Sequence, residues 1–193
     1  VGRVLSISRA PVSDAIRRLS VEGLLEILPQ VGCRVMQPVP AEVRDLYEIF
    51  GASEGVIARW AAERRSEEEA QEFRALCASL AADDGLPADP DARFLELRRR
   101  NRRRYEMLHR LARSPLSTDG GETYWDRSDF LLRVTFGGRD LPGFVRDARA
   151  ALVDAVVAGE GQTAEHATRQ YLVRLGREVA DVLERQARER SRR

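Results

Sequence analysis

The chain has 193 residues, is 43% hydrophobic and carries a formal net charge of +1. That length holds one large domain or two small ones. No apolar run nears the ~20 residues of a membrane span and nothing at the start resembles a signal peptide, so a membrane partner is excluded and the cytoplasm is the expected compartment. Cys33 and Cys77 lie far apart without metal-ligand spacing and read as reduced thiols.

All 32 basic residues are Arg, a usage that reflects the coding bias of a GC-rich bacterial genome more than chemistry. The near-neutral balance excludes a chain-wide excess of the kind nucleic-acid-coating proteins carry. The charge is uneven, however. Residues 1–36 hold five Arg against Asp14, Glu22 and Glu26, and a local excess on a small module can serve DNA binding.

In chain order, Val1 to Leu5 reads as the tail of a helix. A polar turn with Ser6 and Ser8 leads into Pro11, which is suited to a helix's first turn because its missing N–H would be unpaired there anyway. Val12, Ala15, Ile16 and Leu19 then recur at helical spacing to about Glu22, with Arg9, Arg17 and Arg18 around the other side and Gly23 as the stop. Leu24–Leu28 reads as a strand, Pro29–Gly32 as a turn and Cys33–Met36 as a returning strand. On a lone helix a basic face is more often merely solvated. Helix, turn, helix and hairpin in this order is a winged helix-turn-helix, in which such a face enters the major groove. An independently folding module of this type needs upwards of roughly 50 residues, so this one is expected to be N-terminally incomplete.

Pro38–Pro40 reads as a short stiff linker, and everything beyond it is helical in pattern. Residues 41–65 carry Val43, Leu46, Tyr47, Phe50, Ile57 and Trp60 at spacings of mostly three and four. Ser66, with Glu69 three residues on, forms a capping box for a helix to about Ala82. A loop over 83–90 precedes a very basic helix over 92–113. A break over 114–121 and helices over 122–136, 140–158 and 163–190 follow, separated by Gly137-Gly138 and Gly159-Glu160-Gly161. The expected fold is mainly α, with a winged helix-turn-helix over 1–37, a linker over 38–40 and an all-helical bundle over 41–190. No Ser-His-Asp set, phosphate loop or metal cluster is present, and an enzyme is not expected.

With these pieces placed, the chain resembles the GntR family of bacterial transcription regulators, in its FadR-type subgroup with a helical FCD effector domain. S-R-A-P-V-S-D-A-I-R-R-L-S-V-E-G-L-L-E-I (8–27) is similar to the family's S-R-T-P-V-R-E-A-L-R-R-L-x-x-E-G-L. P-Q-V-G-C-R-V (29–35) is similar to its wing, and the region around D-L-Y-E-I-F-G-A-S-E-G (45–55) to the opening helix of its effector domain. L-V-D-A-V-V-A-G-E (152–160), followed by Ala164 and Ala167, also fits. The resemblance implies a homodimer on a pseudo-palindromic operator, controlled by a small metabolite. It makes Arg9 a DNA contact, through guanine O6 and N7 or a phosphate. Ser8 becomes the cap and a phosphate contact, Pro11 part of the helix entry, and Arg17 and Arg18 phosphate contacts or solvated charges. Gly32 becomes the wing tip that approaches the minor groove. Ser13 stands where the family usually has a second DNA-reading Arg, and Asp14 replaces Glu, so a different half-site is expected.

Many such effector domains hold a divalent metal through one Asp and three His. Those positions fall here on Asn101, Tyr105, Arg149 and Tyr171. None is a strong metal ligand, and two histidines in the whole chain rule out a three-His site in one protomer, so neither metal nor cofactor is expected. The four residues instead suggest a receptor for a carboxylate or phosphate, with Arg149 as its fork-shaped anchor. The open alternative is a structural salt bridge for Arg149 and core roles for the tyrosines. Phe50 replaces another polar handle of the family. His109 is expected to be partly exposed, His166 on the surface, and Trp60 and Trp125 in the core. The run Arg98–Arg104, interrupted by Asn101, reads as salt-bridged or solvated, with Arg98 or Arg102 available for anion binding if turned inward. The expected function is a ligand-responsive regulator, a repressor. The alternative is a DNA-binding dimer whose helical domain has lost its ligand and only dimerises.

Overall fold

The computed structural model describes residues 8–81, 85–115, 117–137 and 141–192, leaving aside the side chains of residue 9 and residues 117–122. The expected helix tail at Val1–Leu5 lies outside the described residues. The chain divides into two units, Val1–Pro38 and Val39–Arg193.

In the first unit, α1 (Arg9–Val21) starts two residues before the expected Pro11. Gly23, at φ +74°, allows the turn out of it. Strands β1 (Leu25–Leu28) and β2 (Gly32–Val35) pair antiparallel with Leu25 opposite Val35 and Leu28 opposite Gly32. Opposed Glu26 and Arg34 add an exposed ion pair of 2.7 Å. The apolar face of α1 is shallower than its sequence suggests. Val12 and Ile16 are half-buried, whereas Ala15 and Leu19 are exposed. None of the described residues of this unit is fully buried.

Among its described residues the second unit bundles six helices: α2 (Pro40–Arg64), α3 (Glu67–Ala81), α4 (Pro90–Ala112), α5 (Ser117–Phe136), α6 (Phe144–Ala158) and α7 (Gly161–Ser191). Pro40, expected in the linker, is instead the first residue of α2, where φ is already right and no N–H is needed. Ser66 and Glu69 close the expected box, with the Glu69 N–H donating to Ser66 Oγ at 3.2 Å and the Ser66 N–H to Glu69 Oε2 at 2.6 Å. The break expected over 114–121 is shorter, because α5 already runs through Gly120-Gly121. The ~1 kcal/mol penalty of a helical Gly is outweighed by burial of Trp125, Leu131, Leu132 and Phe136 on the same helix. Helix α6 begins at Phe144 rather than residue 140, just past Pro142, which a helix interior rejects.

The core centres on α2 against α7. Val43, Tyr47, Phe50, Glu54, Ile57 and Ala61 form a stripe at alternating steps of four and three, all 5% exposed or less. The two helices meet through small residues. A Cβ on Gly51 would sit 3.2 Å from the Arg169 carbonyl oxygen, and one on Gly55 3.1 Å from that of Glu165. Across the seam, Gly176 lies against Tyr47. Phe50, Tyr105 and Trp125 extend the core towards α4 and α5, with ring centroids of Phe50–Trp125 at 4.7 Å and Tyr105–Trp125 at 4.1 Å.

Arg65 closes the C-terminal end of α6. Its Nε donates to the Val156 carbonyl at 3.2 Å and its Nη2 to the Val157 carbonyl at 2.7 Å, adding side-chain donors to the last turn, where Val156 also accepts from the Gly159 N–H. Arg65→Ala should destabilise the chain by about 1–2 kcal/mol, a typical net value for two such bonds. Urea unfolding measures it, and an unchanged midpoint would show that water replaces the guanidinium without loss.

Candidate functional site

Two sets of residues carry chemistry, one in each unit. In the first, Pro11, Ser13, Arg17 and Arg18 on α1 are all exposed. Ser8 occupies the N-cap position but makes no side-chain capping bond, which corrects the expected cap. The reason is local: the third helical residue is Pro11, so one of the two N–H groups a cap normally accepts from is missing. Gly32 has φ +142° with nothing within 4 Å of a notional Cβ, a wing position that leaves the backbone accessible. The Arg9 side chain lies outside what the structure describes.

In the bundle, α4 brings Asn101, Arg104, Tyr105 and Leu108 inward at helical spacing, with exposures of 2%, 5%, 3% and 0%. From α6, Arg149 donates through Nη2 to Asn101 Oδ1 at 2.9 Å. Arg104 Nη1 reaches the same oxygen at 3.4 Å. Tyr171 on α7 is buried. Its phenol and that of Tyr47 lie within electrostatic reach of Arg98, and the Tyr105 phenol within reach of Arg149 and Arg104. Asn101 and Arg149 are thus in direct contact, Tyr105 stands in the electrostatic neighbourhood of Arg149, and Tyr171 in that of Tyr105 and Arg98.

Sequence reasoning passed over Glu54 and Arg104. Glu54 is 1% exposed, and its two carboxylate oxygens lie 3.0 and 2.9 Å from His109 Nε2. His109 is therefore partly exposed, as expected, with a side chain 14% exposed, and it is paired with this buried carboxylate. The signal was available: Glu54 falls on the stripe Val43-Tyr47-Phe50-Glu54-Ile57, where a charge is out of place unless something answers it. His166 is exposed and Trp125 is core, while Trp60 is half-buried under the Arg64 guanidinium.

The basic run on α4 is largely answered by acids. Arg98 pairs with Asp129, Arg102 with Asp126 at 2.6 Å, and Arg100 with Glu96 at 3.1 Å. Arg102 is consequently engaged at the rim. Burial lowers the Arg98 pKa to about 10, and the neighbouring Arg149 and Arg102 charges push the same way. Arg104 is also lowered, first by burial and then by Arg149. Tyr47 and Tyr105 are raised by burial and stay protonated.

Several polar atoms in this region are buried without a partner: Tyr105 OH, Trp125 Nε1 and Arg149 Nε. Most buried polar atoms in proteins are paired, so three neighbouring orphans single this region out as a candidate binding place. Among the described residues, no group of three or more His, Cys, Asp and Glu side chains is placed to hold a metal ion, and no helix is long and apolar enough to cross a membrane.

Residues 45–174 match the FCD domain family. A 58-residue stretch is 40% identical to an uncharacterized HTH-type transcriptional regulator from the TAR-I ttuE-ttuC' intergenic region of Agrobacterium vitis. It spans 30% of this chain and only 34% of that protein. In three dimensions the chain is similar to McbR/YncC of E. coli, with a TM-score of 0.67 at 19% identity over 96% of this chain and 84% of that one. It is also similar to a GntR family member from Pseudomonas syringae pv. tomato, with a TM-score of 0.64 at 17% identity over 98% and 76% respectively.

Proposed function

We propose that this chain, which belongs to the GntR family of regulators with an FCD domain, is a cytoplasmic, ligand-responsive transcription regulator that represses as a homodimer. Helix α1 enters the major groove of each half of a pseudo-palindromic operator. Arg9 reads a base or clamps a phosphate, Arg17 and Ser8 contact the backbone, and the Gly32 wing tip lies along the minor groove. Pro11 sets the helix entry, and the short Ser13 leaves more of the base reading to Arg9.

The effector in this reading is a small organic acid bound in the bundle without a metal. Arg149 is its anchor, Asn101 orients Arg149, and the Tyr105 and Tyr171 hydroxyls serve as further donors. The observation that carries the reading is the set of orphaned buried atoms around Arg149, which is rich in donors and so calls for an acceptor-rich guest. Binding shifts the population between DNA-competent and incompetent arrangements to the extent that the acid prefers one of them.

Thermal-shift screening with organic acids, with and without EDTA, tests the effector half. A hit indifferent to EDTA and lost in Arg149→Gln supports it, whereas loss of stability with EDTA alone points to a metal. Arg9→Ala in a gel-shift assay tests the DNA half and should abolish the operator complex; an unchanged shift removes Arg9 from the interface. A second reading has one observation in its favour. Asn101 Oδ1 already accepts from both Arg104 and Arg149, as a self-contained network in a domain that only dimerises would. Silence across the whole acid panel selects it.

A further inference from the structure

We propose that Arg104 and Arg149 form a two-sided clamp for a doubly charged anion, so that the effector presents either two carboxylates or one phosphate ester. This rests on the reading of the bundle as an effector site and narrows its ligand class.

Arg104 is 5% exposed, and among the described residues its acceptors are the neutral amide oxygen of Asn101 at 3.4 Å and the Cys77 thiol. Arg149 shares that amide oxygen at 2.9 Å and keeps a buried Nε with nothing to donate to. Two guanidiniums that reach one oxygen atom are near enough for a single oxyanion, or two close ones, to bridge them.

The local acids do not balance these charges. Glu54 is turned to His109, with both oxygens within 3.0 Å of Nε2, and Asp129 faces Arg98. Among the described residues no carboxylate forms an ion pair with Arg104 or Arg149. A buried cation (Arg104) beside a half-buried one (Arg149), neither with a counter-ion, is expensive, and a monoanion would leave one of them unanswered. A dianion neutralises both, and the guanidinium fork suits carboxylate and phosphate alike.

The test is calorimetric titration of the full chain with butyrate, succinate, inorganic phosphate and glycerol 3-phosphate, repeated on Arg104→Gln. The dianion class should bind about tenfold or more tightly than butyrate, the value of one charge-assisted contact. Preference for succinate or for the phosphates then identifies the source of the charge. In Arg104→Gln the advantage of the dianions over butyrate should fall to about unity. Equal affinity of mono- and dianions for the unaltered chain overturns the clamp but leaves an acid effector standing. No binding by any of the four overturns both. The ligand series on the unaltered chain decides the matter even if Arg104→Gln fails to fold, which circular dichroism reports.

Discussion

Replacing Gly176 by alanine should destabilise the helical unit by about 2–3 kcal/mol and lower its melting temperature by about 5–10 °C. In an exposed helix this exchange would gain close to ~1 kcal/mol from backbone propensity, so the expected sign is reversed by packing alone. The added Cβ would lie 2.4 Å from Tyr47 Cβ and 2.7 Å from its Cγ, a separation that real atoms do not keep. Tyr47 cannot swing aside cheaply. It is fully buried and its hydroxyl is hydrogen-bonded to Ser128 Oγ at 2.8 Å. Relief must come from parting α2 and α7, which would loosen the Gly51 and Gly55 contacts as well. Gly143→Ala is the control, since nothing lies within 4 Å of its notional Cβ, and it should be neutral. Differential scanning calorimetry of both variants checks the pair. A Gly176→Ala chain as stable as the parent would mean that the seam yields freely.

Glu54→Ala should have an effect of similar size, about 3 kcal/mol, the usual result of removing one member of a buried pair. The substitution deletes the acid facing His109 and leaves a region already crowded by Arg98, Arg104 and Arg149 with less negative charge. Glu54→Gln keeps an acceptor for the imidazole, and its loss should be nearer ~1 kcal/mol. His109→Ala and the double variant complete a cycle in which a coupling of about 1–3 kcal/mol is expected. Chemical denaturation gives all four values, and additive single effects would show that the two residues stabilise the bundle independently.

The helices were legible because their ends carry local chemistry. Ser66 with Glu69 and Gly159 at φ +75° announce themselves within four residues, whereas Pro90 after Asp89, which reads as loop, opens its helix. The start of α5 was not legible: Gly120-Gly121 reads locally as a break, and only burial further along the helix overrides it. In α1 the N-cap was legible as a position but not as a bond, because the effect of Pro11 on the Ser8 cap depends on where the helix begins. In the bundle, Asn101, Tyr105, Arg149 and Tyr171 came from resemblance, whereas Glu54 facing His109 joins residues 55 positions apart. Periodicity marks such a residue as misplaced without saying what meets it. Arg104 was hidden by its neighbours: in a run of arginines the sequence does not single out the one whose partners are an amide and a thiol rather than an acid.

The α2–α7 seam also constrains how this sequence can vary. Tyr47 and Gly176 share one volume between them, so neither position is free to drift alone. A bulkier residue at 176 becomes acceptable only alongside a smaller one at 47, and that smaller residue forfeits the hydroxyl tied to Ser128. A library randomised at both positions and selected for folding should therefore return pairs of roughly constant combined size. Libraries randomised at position 176 alone should return glycine.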